Sequence, residues 1–199
     1  MKKLIILLCI SILFILILYP KEKNIIYIPN FLSDKDFNII KKNLYNNRYN
    51  FKNESFRKIK TLNKENKIIY DIFYSSKYIS IINKYCNKNL FKSSFPIEHR
   101  IYPTGSKGMH WHMDTLLYDK PQYEAVFTIY NNSNSLTEWI DGNIKSQWTE
   151  PNSLLLVKAQ SDYHHVTPIN NGTREILKLI YTQSNNINNN YYKELERFK

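Results

Sequence analysis

The chain has 199 residues, with 28 Lys or Arg against 17 Asp or Glu, for a formal net charge of +11. That length suits one domain with its own core, and the lysines are scattered through an Asn- and Ile-rich background rather than gathered into a nucleic-acid footprint. Beyond the apolar leader Cys86 is the only cysteine, which excludes an intramolecular disulfide or a Cys-based zinc centre in that domain.

Lys2 and Lys3 precede an uncharged run of sixteen residues from Leu4 to Tyr19. As a helix it would span roughly 24 Å, slightly less than a hydrocarbon core of about 30 Å. The exit, Leu18-Tyr19-Pro20-Lys21, lacks a small-residue cleavage site. Residues 1–20 are expected to form an uncleaved single-pass signal anchor, ahead of a cleaved signal or a buried core helix; lysines flank both ends, and if Lys2 and Lys3 stay cytosolic the remaining domain lies on the non-cytosolic side.

A helix is predicted to start at Ser33, which can N-cap. Asp36 stands at the capping-box position, and Leu32 and Phe37 are placed as a hydrophobic staple. It would run through Ile39, Ile40 and Leu44 to the Asn46-Asn47 break. A second amphipathic run, Ser75–Cys86, puts Ile79, Ile82 and Tyr85-Cys86 on one face. The Lys- and Asn-rich stretch between them carries no clear period. Together these make a helical support over residues 30–92.

From Phe95 the pattern changes to short runs rich in Ile, Val, Tyr, Thr and Trp, separated by turn signals. Strands are predicted at 97–102, 109–114, 123–130, 136–140, 144–148, 153–158, 163–167 and 175–182, with Asp141-Gly142 as a hairpin turn. The fold class is α+β, mainly β: a jelly roll, or double-stranded β-helix, with a core over 95–182 in a domain spanning 25–184. Residues 185–199 read as a polar tail without chemistry.

The chain holds five histidines, and His110 and His112 stand in one short run with Asp114. On a strand, residues i and i+2 face the same way about 6.6 Å apart, so either His110 with His112 or His112 with Asp114 can share an ion. His110 and Asp114 would be roughly 13 Å apart. A further ligand is expected from His164 or His165, which point to opposite faces of a regular strand. Two histidines and a carboxylate form the facial triad of non-heme Fe(II) oxygenases, with open positions for a cosubstrate and dioxygen. A 2-oxo diacid would need a cation for its far carboxylate, and Arg174, across the Asn171-Gly172 turn, has the planar fork for it. The four glycines are Gly105, Gly108, Gly142 and Gly172. Two shortly precede His112 and one shapes the turn before Arg174.

These residues resemble the 2-oxoglutarate/Fe(II)-dependent dioxygenases, nearest their prolyl 4-hydroxylase-like branch. That family shows His-x-Asp and, some fifty residues later, His-x-Val-x-Pro-Val-x-x-Gly-x-Arg/Lys. Here His112-Met113-Asp114 is followed by His164-His165-Val166-Thr167-Pro168-Ile169-Asn170-Asn171-Gly172-Thr173-Arg174. Arg100-Ile101-Tyr102-Pro103 and the opening IYIPNFLSDKDF also match, so the likeness covers most of residues 25–182. The resemblance implies Fe(II) on His112, Asp114 and His164, and 2-oxoglutarate held at its distal carboxylate by Arg174 and Tyr102. It further implies hydroxylation of a protein or small-molecule substrate, of which peptidyl proline is one, with decarboxylation to succinate.

Two other readings are a cupin-like metal protein using His110 and His112, and a non-catalytic anchored jelly-roll binding domain. Positions 116 and 117 are leucines where a cupin would carry glutamate. His110 is expected at the pocket mouth, His165 beside the ligands or on the surface, and His99 as strand polarity. Trp111, Trp139 and Trp148 are expected as packing residues, and Asp119, Lys120 and Glu124 as a solvated loop and strand edge.

Overall fold

The computed structural model describes residues 23–48, 50–54, 56–62 and 66–198. The leader over residues 1–20 lies outside them, and no helix among the described residues is long and apolar enough to cross a membrane. All eight predicted strands are present within two residues of their expected bounds: β5 (Glu98–Tyr102), β6 (Met109–His112), β7 (Tyr123–Asn131), β8 (Thr137–Asp141), β9 (Asn143–Gln147), β10 (Leu154–Lys158), β11 (His164–Val166) and β12 (Arg174–Thr182). Four more occur: β1 (Ile25–Ile28), β2 (Lys52–Glu54), β3 (Arg57–Thr61) and β4 (Phe91–Lys92).

These strands make two sheets. The large one runs β1-β10-β7-β12-β5-β3-β2, with β4 added to β12, and the small one runs β6-β11-β8-β9. Both are antiparallel at every pairing. Their inner faces enclose a cavity, which gives the jelly-roll arrangement.

The central strands of the large sheet are covered on both faces, which explains the near-continuous apolar runs Leu154-Leu155-Leu156-Val157 and Ile176–Tyr181. Residues alternate between faces. Phe127, Leu177, Leu179 and Tyr181 meet the helices α1 (Asp34–Asn46), α2 (Lys67–Phe73) and α3 (Ser76–Cys86). Arg174, Ile176 and Lys178 look inward to the cavity.

Ser33 caps α1 by accepting from the Asp36 amide at 3.3 Å. The reciprocal half of the expected capping box is replaced. The Ser33 amide donates to the Tyr78 hydroxyl at 3.0 Å, and the Asp36 carboxylate takes the Ser33 and Tyr78 hydroxyls. The cap therefore ties α1 to α3.

The stretch over 185–199 is more than a tail. Asn188 caps helix α4 (Asn189–Leu195), followed by a 3-10 turn over Glu196–Phe198. Tyr191 packs edge-on against Phe95 and Tyr118. The Asn188 side-chain amide donates to the carbonyls of Leu116 and Tyr118. An asparagine-rich sequence thus docks through a buried aromatic ring and side-chain amide hydrogen bonds to the loop after Asp114.

Candidate metal centre

β6 and β11 run antiparallel with His112 opposite His164, and their ring centroids stand 4.3 Å apart. Asp114 follows two residues after His112, and its carbonyl accepts from the Gln160 amide at 3.2 Å. Its carboxylate lies between the rings, Oδ1 3.7 Å from His112 Nε2 and Oδ2 3.5 Å from His164 Nε2. One ligand atom from each of the three lies within 4.8 Å of the others.

The other ring nitrogens explain the orientation. His112 Nδ1 is 2.7 Å from the His110 carbonyl, and His164 Nδ1 is 3.2 Å from the Asp162 carbonyl. A carbonyl only accepts, so each Nδ1 carries a proton and donates it. Each Nε2 lone pair is then free to ligate, the usual way a backbone partner fixes a metal-binding imidazole. Burial, opposed by the Asp162 carbonyl bond, holds the His164 pKa below its ordinary value and favours this neutral form.

The alternative histidines lie apart. His110 is exposed, and its backbone carbonyl is what orients His112. His165, one residue along β11 from His164, faces the opposite way. Its Nε2 is 2.7 Å from Glu138 Oε2 and its ring stacks on Trp111 at 4.0 Å. Trp111, on β6, and Trp148, one residue past β9, are exposed rather than core residues, because the small sheet leaves its outer face open.

The cavity between the sheets, of about 70 Å³, is lined by the triad and by Tyr102 and Arg174. Tyr102 and Arg174 are direct partners across β5 and β12. Arg174 is buried, and its Nε is the one buried side-chain polar atom without a hydrogen-bond partner among the described residues. Burial, only partly opposed by Tyr102, lowers its pKa. A buried guanidinium without a counter-ion is costly unless an anion arrives. Burial would raise the Tyr102 phenol, but the Arg100 and Arg57 guanidinia outweigh it and hold it below its ordinary value.

No protein-family model and no curated protein matches this sequence. Solved structures do. An oxidoreductase of the 2OG-Fe(II) oxygenase family from Burkholderia pseudomallei superposes with a TM-score of 0.71 at 8% identity, over 82% of this chain and 86% of that one. A Trichoplax adhaerens prolyl hydroxylase, solved with a hypoxia-inducible-factor peptide, gives 0.62 at 17% identity, over 79% and 83%. HygX from Streptomyces hygroscopicus, solved with nickel, 2-oxoglutarate and hygromycin B, gives 0.62 at 10% identity, over 87% and 86%. The fold is that of the 2-oxoglutarate/Fe(II) oxygenases.

Within this oxygenase fold the interior carries charges that sequence reasoning missed. Glu124, expected on a solvated strand edge, is buried and pairs with Lys178. Burial opposes the Lys178 ammonium, but Glu124, with Asp114 and Glu98 nearby, outweighs it and keeps its pKa above the ordinary value. Arg100 donates from Nε and Nη2 to Glu98 Oε2 at 2.9 and 2.7 Å. The signal for Lys178 was available in the two-residue period of β12, which puts Arg174, Ile176 and Lys178 on one face. His99, expected as simple strand polarity, is buried 2.9 Å from Glu175 on the opposite face of the large sheet.

Proposed function

We propose that the protein is a 2-oxoglutarate- and Fe(II)-dependent dioxygenase that hydroxylates an organic substrate. His112, Asp114 and His164 hold the ferrous ion, and Arg174 with Tyr102 holds the distal carboxylate of 2-oxoglutarate. The observation that carries this reading is the pairing of a three-donor cluster with a buried guanidinium whose Nε has no partner among the described residues, in one cavity. When bound, the ion and cosubstrate supply the oxidising chemistry: dioxygen gives one atom to a substrate C–H bond and the other to succinate, with carbon dioxide released.

The chain's own residues do the positioning. The His110 and Asp162 carbonyls fix the imidazole tautomers, leaving both Nε2 atoms as donors to the ion. Arg174 can meet a carboxylate through parallel N–H bonds and so register the cosubstrate along the cavity. The apolar part of the lining, Val126, Leu155, Val157 and Ile176, limits water around the reacting groups. A prolyl hydroxylase among the fold neighbours makes peptidyl proline one candidate substrate. The apolar leader supports a membrane-anchored location with the domain on the non-cytosolic side.

The test is succinate formation by the purified full-length chain given Fe(II), 2-oxoglutarate and air. Turnover that needs both additions, and vanishes in Asp114→Ala, is the expected result. A chain that binds Fe(II) without any conversion of 2-oxoglutarate would overturn the enzyme in favour of a non-catalytic binding domain.

A further inference from the structure

A second cavity, of about 170 Å³, adjoins His112 and Asp114 but is lined by neither Tyr102 nor Arg174. It has room for several waters, the scale of a small metabolite. Its wall mixes apolar surface from Phe95, Met109, Met113, Leu117 and Ile180 with ionised groups, and it shares Arg100, Met109, Glu124 and Lys178 with the first cavity. Glu98, Arg100, Glu124 and Lys178 project from three strands of the large sheet, and Glu194 and Arg197 close it from the C-terminal segment.

These charges are paired in a way that leaves capacity. Both bonds from Arg100 to Glu98 land on one oxygen, Oε2, and Arg197 Nη2 approaches the same atom at 3.8 Å, while Arg100 Nη1 donates to the Tyr102 hydroxyl at 3.4 Å. Lys178 also meets Glu124 through Oε2. A carboxylate has two acceptor oxygens, so each Oε1 can still take an ammonium. Arg197, half-exposed and bonded through Nη1 to Glu194, has donors to spare. A wholly apolar molecule set against these charged groups would strip their water and return no bonds, which is costly. A molecule with both signs of charge would return them.

We infer that this cavity is the substrate site and that the substrate is a small zwitterion, a free amino acid or a close derivative, rather than peptidyl proline. Its cationic nitrogen meets Glu98 and Glu124, and its carboxylate meets Arg197 at the mouth. The inference rests on the oxygenase reading above, because the cavity matters only if the adjoining triad performs the oxidation.

The experiment supplies the full-length chain, with Fe(II), 2-oxoglutarate and air, with each of the common free amino acids, their α-amides, and a proline-rich peptide. It reads succinate above the substrate-free level and a product one oxygen heavier. At least one free amino acid is expected to raise succinate and gain oxygen, its amide having a KM about tenfold or more higher. Arg197→Glu should raise KM for the acid and narrow its advantage over the amide. A role confined to bracing α4 would leave that ratio alone. The inference is overturned if only the peptide stimulates, if no amino acid does, or if Arg197→Glu leaves the acid-to-amide ratio unchanged. Substrate-free succinate formation that requires Asp114 would show, in those cases, that the oxygenase reading survives; its absence removes both.

Discussion

Arg174 stands directly across from Tyr102 on neighbouring strands, with its Nε buried and without a partner among the described residues. The geometry costs the unliganded protein something. Arg174→Met should therefore stabilise the ligand-free chain by about 1–2 kcal/mol, seen as a higher denaturant midpoint. The same change should raise KM for 2-oxoglutarate about ten- to a hundredfold, the loss of a charge-assisted contact, while Fe(II) binding persists. Arg174→Lys should fall between, since a lysine keeps the charge but loses the fork.

The metal set gives a prediction with internal controls. His112→Ala, Asp114→Ala and His164→Ala should each remove stoichiometric Fe(II), measured as bound iron after desalting. His165→Ala should keep it, because that ring is turned to Glu138 and Trp111. His110→Ala should keep it too, because only the backbone carbonyl of His110 contributes. Iron loss in either control would mean the donor set is wrong.

Gly108 sits at φ +74°, and a Cβ there would overlap the Val166 carbonyl on the neighbouring strand. Gly108→Ala should cost about 3 kcal/mol, from backbone strain together with displacement of β11. Because β11 carries His164, thermal melting and iron content should fall together. A variant that melts like wild type would show that the strand can move without penalty.

Burial keeps the His164 pKa below the ordinary imidazole value of 6.5. As pH falls through about 6.5, the unfolded chain takes up a proton there before the folded chain does. The unfolded state then binds more protons, so the stability of the metal-free protein drops as pH falls from about 7 to about 5.5. Denaturant midpoints across that range should decline, and His164→Gln should flatten the slope.

Much of this was legible in local pattern. The predicted strands are found because short runs of β-branched and aromatic residues bounded by turn residues mark them, and α1 and α3 because Ser33 and Ser75 announce their first turns. The ligand spacing of His112 and Asp114 is itself a strand property. What escaped depends on distant partners. The strands Lys52–Glu54 and Arg57–Thr61 are polar and show no alternation; they form because the edge of β5 offers hydrogen bonds. Helix α2, seven residues long, is too short to show a period, yet Ile69 and Phe73 are fully buried. Glu124 read as solvated because a lone acid in a strand usually is, and its counter-charge, Lys178, comes from a different strand.

All three donors of the candidate iron site hang from the small sheet or its margin, whereas the guanidinium for the cosubstrate belongs to the large one. A molecule grasped at both ends would act as a strut between the layers. Loading should then do more than add binding energy to each: the two halves of the barrel should lose the freedom to loosen separately, and hydrogen exchange in β6 and β11 should slow in step with that in β12.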